Sequence, residues 1–310
     1  MPLSINTNHA AVNASANLSR NNQLLMKSMQ RLASGKRIID TSDDAGGLAV
    51  AMKLNSSIEK LKGVSSNIKN AISFLDVQDG ILQGAAGILE RMSELKSLSQ
   101  DVLKNSSDIN TYNTEFQNLQ VQLYQMSKEK FNGVSLFATT TTANGGTDAV
   151  YSSNNSATDN TITIFTTENG SSGPKVSVHK TVLLSAITFD ENRVSINKAF
   201  GSSGTKSLAV SISANAGVLT DFTTSFFTQA IENVASLRAQ NGGSMSRLDF
   251  SMSNLDRTRA NLEASYGQIM DVDIAEESTR LAKYQILVQA SASMLAQANM
   301  MPNSAMMLLG

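Results

Sequence analysis

From Leu54 to Leu89 apolar residues recur every seven positions, at Leu54, Leu61, Ile68, Leu75, Leu82 and Leu89. Ile58, Val64, Ala71, Ile72, Ala85 and Met92 fall three or four residues further on. A sustained seven-residue period keeps one apolar seam facing a partner, because 3.5 residues per turn supercoils the helix. The pattern predicts a helix over about Ala49 to Lys104, on the order of 80 Å long. A second helix is predicted to begin at the "SSD" of Ser106–Asp108, whose side chains suit an N-cap, and to stop at Asn132-Gly133. Helical period returns near Phe226, where Leu248, Leu255, Leu262 and Ile269 form a series with Met245, Met252 and Tyr266 beside it. A third series runs Ile274, Leu281, Val288, Leu295. Its phase slips at "DVDIAEE", where Asp273 with Glu276 makes a capping box. One helix is therefore predicted to end near Met270 and the next to begin at about Ile274. The N-terminal end has its own seam at Leu18, Leu25 and Leu32, with Met29.

Between about Ala138 and Thr223 the period changes to two. "TTTTANGGT" opens the zone, and "TITIFTT", "KVSVHKTVLL", "NRVSINKAF" and "SLAVSISA" alternate Thr, Val and Ile with polar residues between Gly, Asn and Ser turns. Such stretches read as β-strands. The fold class that follows is mainly α. Both chain ends supply paired terminal helices and a long-helix coiled-coil bundle, and a small β-rich domain is inserted between them.

Composition narrows the chemistry. At 310 residues the chain can bury a sizeable core. A net charge of −1 gives no reason to expect nucleic acid or an acidic membrane surface as partner. With no cysteine there are no disulfides, thiol chemistry or Cys-ligated metals. The two histidines, His9 and His179, lie far apart, and no H-E-x-x-H occurs. The segment "RLASGKRIIDTSDDAGGLAVA", Arg31 to Ala51, invites a phosphate-loop reading and fails it. Gly35-Lys36 is followed by Arg37, the earlier glycine position holds Gln30, and no strand precedes it. No catalytic, cofactor or metal site is expected. The N-terminus lacks the basic-then-apolar pattern of a cleaved leader, and no stretch approaches 18 apolar residues. Export, if it occurs, is expected by a route that cleaves no leader.

The distribution of charge says more than its sum. Residues 1–19 and 284–310 contain no Asp, Glu, Lys or Arg, although the second stretch has heptad spacing. A surface helix ordinarily carries charge on its outer face. A helix without a strongly solvated face is buried all round, and one chain cannot surround its own two ends. Ordering some 80 terminal residues costs on the order of 100 kcal/mol of conformational entropy, which two helices alone do not offset. The ends are expected to be largely disordered in the monomer and to fold among other copies. A soluble coiled-coil adaptor would have no use for such a tail.

Specific residues carry a resemblance. "SINTNHAAVNA", "RLASGKRIIDTSDDAGGLAVA" and "KEKFNGVSLF" are similar to the N-terminal part of bacterial flagellins. The stretch from "NLEASYGQIMDVDIAEESTRLAKYQ" to the C-terminus resembles the flagellin C-terminal signature. The resemblance covers about residues 1–138 and 224–310; the central residues match no family pattern, as befits a variable outer domain. Ser246-Arg247 departs from the family's usual Asn-Arg, and methionines at 300, 301, 306 and 307 replace commoner Gln, Val or Leu.

The resemblance implies an extracellular filament subunit used for motility, exported unfolded without leader cleavage. It implies three parts: 1–42 with 273–310 as inner-tube helices, 43–138 with 224–272 as the long-helix bundle, and 139–223 as the β-rich outer domain. Filament assembly would then run through Leu18, Leu25, Leu32, Ile274, Leu281, Val288 and Leu295. The connector would comprise Lys36, Arg37, Asp43, Asp44, Gly46 and Gly47. There the glycines would turn the chain, the aspartates cap the next helix, and the basic pair meet acidic groups of neighbouring copies. Implied partners are other copies, an export chaperone and the flagellar secretion apparatus, and filament cap and junction proteins. An innate Toll-like receptor would meet Arg91 and Leu95 of "LERMSEL" and Glu115 of "NTEF". Ser93 and Lys96 depart from the usual Arg and Ala beside them. Surface Ser and Thr of the insert would be sites for O-linked sugars. A hook–filament junction protein shares the terminal helices and is the alternative; "MLAQANMMPN" and the DDAGG segment favour the main subunit. Some flagellins carry a central metallopeptidase, but this insert has only His179.

Overall fold

The first helix starts where a side chain can close it: Asn8 Oδ1 accepts the Ala11 amide at 3.1 Å. It ends at Gly35, whose φ of 69° is left-handed backbone that suits glycine. In the computed structural model, which describes residues 8–139, 148–151, 161–191 and 193–309, the helices are α1 (His9–Ser34), α2 (Ala45–Ser99), α3 (Ser106–Met126), α4 (Leu183–Ala186), α5 (Thr224–Met270) and α6 (Ile274–Leu309). The strands are β1 (Lys130–Phe131), β2 (Val134–Ser135), β3 (Thr161–Phe165), β4 (Lys175–His179), β5 (Thr188–Asp190), β6 (Arg193–Asn197) and β7 (Thr205–Ser207). Most of "TTTTANGGT" and the first seven residues lie outside the described residues.

The chain divides into two compact units, Met1–Glu59 with Thr258–Gly310, and Lys60–Arg257. In the first, α1 packs along α6. A small apolar core forms where Ile38, Ala51 and Met270 are buried, with Leu48, Tyr266 and Ile269 against them.

The second unit has a full core. The heptad residues Leu61, Ile68, Leu75, Leu82 and Leu89 of α2 are buried, as are Val234, Leu237, Leu248 and Leu255 of α5. Polar contacts fix the register of the two helices. Arg238 holds Asp79 through two hydrogen bonds of 3.0 Å, and Asn241 Nδ2 donates to the Leu75 carbonyl at 2.9 Å. The α3 helix is opened by a capping box between Asn105 and Asp108. Its Phe116 packs against Phe222 and Phe227, with ring centres 5.6 and 6.1 Å apart.

Three local expectations are corrected. The second helix stops at Met126, and Asn132-Gly133 is instead the turn of the β1–β2 hairpin. Asn132 and Gly133 have φ of 48° and 79°, the pair of positive values that a type I′ turn requires. Leu183 and Leu184 of the second β stretch belong to α4, with Val182 at its N-cap. "SLAVSISA" leaves the sheet after Ser207: the Val210 amide donates to the Gln120 carbonyl of α3, not to a neighbouring strand. The antiparallel pair β3–β4 and the three-stranded sheet β6-β5-β7 complete the insert.

Candidate assembly and recognition surfaces

The α1–α6 pair has almost no interior. Ser28 alone is buried on α1; among the described side chains of α6 only Glu277 and Ala298 are. Leu18, Leu25, Leu32, Leu281, Val288 and Leu295 sit half-buried along the seam. Ile274 does not join them: it is 68% exposed, because the first residue of α6 lies a turn before the seam position that Glu277 takes. Met29 is exposed too, with Val12, Met26, Ile286 and Met294.

Polar side chains set the pairing. Asn8 Nδ2 donates to the Ala298 carbonyl at 2.8 Å. Asn21 Nδ2 donates to Ser291 Oγ at 2.8 Å. Ser28 Oγ donates to Glu277 Oε1 at 2.5 Å.

The connector is strapped to the break between α5 and α6. The Arg37 amide donates to the Met270 carbonyl at 2.6 Å and the Val272 amide to the Gly35 carbonyl at 3.1 Å. These two bonds flank an antiparallel bridge between Lys36 and Asp271. Lys36 and Arg37 themselves are exposed.

The two aspartates divide their roles. Asp44 caps α2, its Oδ1 accepting the Gly47 amide at 2.8 Å. Asp43 is no cap. Its buried carboxylate pairs with Lys27, lies 3.5 Å from Arg31, and accepts the Ile39 amide at 3.3 Å. Hydrogen bonding from Lys27 is the largest effect on its acidity; with the Ile39 bond and the two cations it outweighs burial and holds the carboxyl below its usual range. Arg31 also reaches Glu277 at 4.0 Å, so one guanidinium joins α1, the connector and α6.

The glycines differ from expectation as well. Gly46 and Gly47 lie inside the first turn of α2, and the reversal falls at Gly35. Gly47 is needed for close approach: a Cβ there would stand 2.3 Å from Asp44 Oδ2 and 3.2 Å from Ile38 Cδ1. At the start of α6, Asp273 Oδ1 accepts the Ala275 and Glu276 amides at 2.9 and 3.1 Å. The Glu276 carboxylate turns to Arg280 at 2.5 Å and not back to the cap.

In the second unit, Arg91 donates to both Glu115 oxygens, at 2.7 and 3.2 Å, and to Glu94 at 2.8 Å. Glu115 first and Glu94 second hold the guanidinium above its ordinary range. Leu95 does not join this surface. It is 0% exposed, three residues beyond buried Met92 on the core face of α2. The neighbouring Lys96 is buried as well, its Nζ donating to the Leu219 carbonyl at 2.7 Å; burial lowers its basicity.

Lys27, Ser28, Arg31 and Glu277 were not singled out by sequence reasoning. A signal existed: Ser28 lies three residues after Leu25 and four before Leu32, and Glu277 lies four before Leu281, so each is polar in an apolar slot.

Residues 5–142 match the family described as bacterial flagellin N-terminal helical region, and residues 224–309 the bacterial flagellin C-terminal helical region. A flagellin of Listeria innocua is 30% identical over 97% of both chains. One of Bacillus subtilis is 30% identical over 98% of this chain and 99% of its own. The crystal structure of Bacillus cereus flagellin is 20% identical, covers 61% of this chain and 88% of its own, and has a TM-score of 0.41.

Proposed function

The chain belongs to the bacterial flagellin family, and on that premise we propose that α1 and α6 are the elements through which it polymerises into the flagellar filament. It is a structural subunit of that extracellular filament, which serves motility. The observation that carries the role of the terminal helices is their pairing with almost no interior among the described side chains. Half-buried Leu and Val on the seam, exposed Met and Ile outside it, and no charge in residues 284–310 make a helix pair that gains by further cover. Other copies supply that cover, and ordering of both ends accompanies assembly. Open helical stacking is heterologous, so each copy presents two different faces.

In the filament, 1–42 with 273–310 would form the inner tube, 43–138 with 224–272 the bundle around it, and 139–223 the outer domain. Lys36 and Arg37, exposed beside the strapped connector, would meet acidic groups of neighbouring copies. Before assembly the C-terminal helix would be held by an export chaperone and pass the secretion apparatus without leader cleavage; cap and junction proteins would meet the filament's ends. Arg91 and Glu115 would face a Toll-like receptor with Leu95 packing beneath them. A reporter cell response to monomer that falls with R91A would support that contact, and no response to wild type would remove it.

Deletion of residues 284–310 tests the main reading. Electron microscopy should find no filaments of the shortened chain under conditions where the full chain forms them. Normal filaments from the shortened chain would overturn it.

A further inference from the structure

Among the described residues, the second unit carries an aromatic side chain left largely uncovered and an open apolar groove. Phe250 of α5 is 79% exposed. It follows buried Leu248 by two residues, which turns it about 200° away from the core face. On the same face stand Gly243, Ser246 and Ser253, at helical spacings of seven, four and three from Phe250, and all are exposed. At Gly243 and its neighbour Gly242 a Cβ would meet nothing within 4 Å among the described residues, so no close contact there calls for glycine. Each weakens the helix relative to alanine. Exposed Arg247, Asn254 and Arg257 occupy the other neighbouring positions, so the small residues leave room for another backbone on part of the ring's surround.

The groove lies elsewhere on the unit, between α2, the β1–β2 hairpin and β3. Its volume is about 320 Å³. Phe74 and Phe131 form its wall, edge to face with ring centres 6.0 Å apart. Val134 and Ile164 contribute apolar surface, and the amides of Asn67 and Asn70 stand at α2. No Lys, Arg, Asp or Glu lines it among the described residues. Val134 and Phe165 at its edge are 44% and 40% exposed.

We propose that Phe250 of one copy seats in this groove of a second copy, so that the long-helix bundles contribute a knob-and-hole contact to the filament. The inference rests on the polymerisation reading above. A filament holds copies of the same chain against one another along its length. Heterologous stacking requires two faces of one chain that differ and fit. An exposed aromatic with small residues along part of its surround and an uncharged, phenylalanine-walled groove are such faces, and aromatic anchors in desolvated pockets dominate interfaces of this kind.

The absence of cysteine in the chain makes the test free of background. F250C chains and N70C chains are mixed, polymerised and mildly oxidised. A disulfide-linked dimer is expected only in the mixed filaments, absent from either variant alone and from the unpolymerised mixture. Mixed filaments that form without that dimer would overturn the contact. A second measurement covers the case in which cysteine disturbs assembly. F250A should raise the critical concentration about five- to tenfold with unchanged melting of the monomer, and F250L should raise it less. An unchanged critical concentration for F250A would overturn the proposal. Failure of wild-type chains to form filaments would instead overturn the polymerisation reading, and this contact with it.

Discussion

Ser28 donates its hydroxyl to the Glu277 carboxylate at 2.5 Å, across 249 positions of sequence and inside a helix pair that buries little else. The bond is buried on both sides, with Ser28 and Glu277 at 2% and 3% exposure. Arg31 of α1 and Arg280 of α6 itself reach the same carboxylate, at 4.0 and 3.5 Å.

Removing that carboxylate leaves a buried hydroxyl and a half-buried guanidinium short of a partner. E277A should weaken the α1–α6 pair by about 3 kcal/mol. S28A should cost about 1 kcal/mol. The filament's disassembly temperature on a light-scattering melt measures both, and E277A should fall further than S28A.

Asp43 makes the connector sensitive to acid. Its folded-state acidity is raised by Lys27, the Ile39 amide and Arg31, so the folded state binds fewer protons than the unfolded chain. The stability this lends is present above the usual carboxylate value of about 4 and is lost as pH falls through the lower folded value. Wild type should therefore lose stability more steeply than D43N as pH falls below about 4, read from chemical denaturation over an acid series.

Lys96 has the opposite history. Burial lowers its basicity, so between its folded value and the unfolded value of about 10.4 the unfolded chain binds more protons. The cost of burying the charge is felt in full below the folded value and is relieved as pH rises through the window. The stability of wild type minus that of K96M should accordingly climb in urea titrations as pH rises towards the unfolded value of about 10.4.

Three glycines near the connector should separate by mechanism. G35A forces an L side chain to φ 69° and should cost about 1 kcal/mol. G47A pushes Asp44 off its cap and should cost about 1 kcal/mol more than propensity returns. G46A meets only Asp44 Oδ1 at an ordinary 3.6 Å and should stabilise by up to about 1 kcal/mol. Melting temperatures of the three variants decide the order.

The long helices were legible because their signal is local and repeated: Leu61 through Leu89 keep one period, and every one of them is buried. The break after Ile269 showed as a phase slip, and α5 and α6 end and begin there. Asn132-Gly133 was ambiguous because the same dipeptide ends helices and turns hairpins; only the pairing of Phe131 with Val134 decides. The role of Asp43 was hidden for another reason. Asp43 and Asp44 are adjacent and chemically alike, and what separates them is Lys27 and Arg31 arriving from α1. Leu95 was misplaced because a resemblance carries residue identity but not which face of α2 a residue occupies.

Hydrogen exchange of α1 and α6 in monomer and in seeded filaments tests the central claim most directly, with electron microscopy to establish the state of each sample. Both helices should exchange rapidly in monomer and be strongly protected in filaments, with little change across the buried heptads from Leu61 to Leu89. Equal protection of α1 and α6 in monomer and polymer, or chains that stay single after seeding, would contradict it.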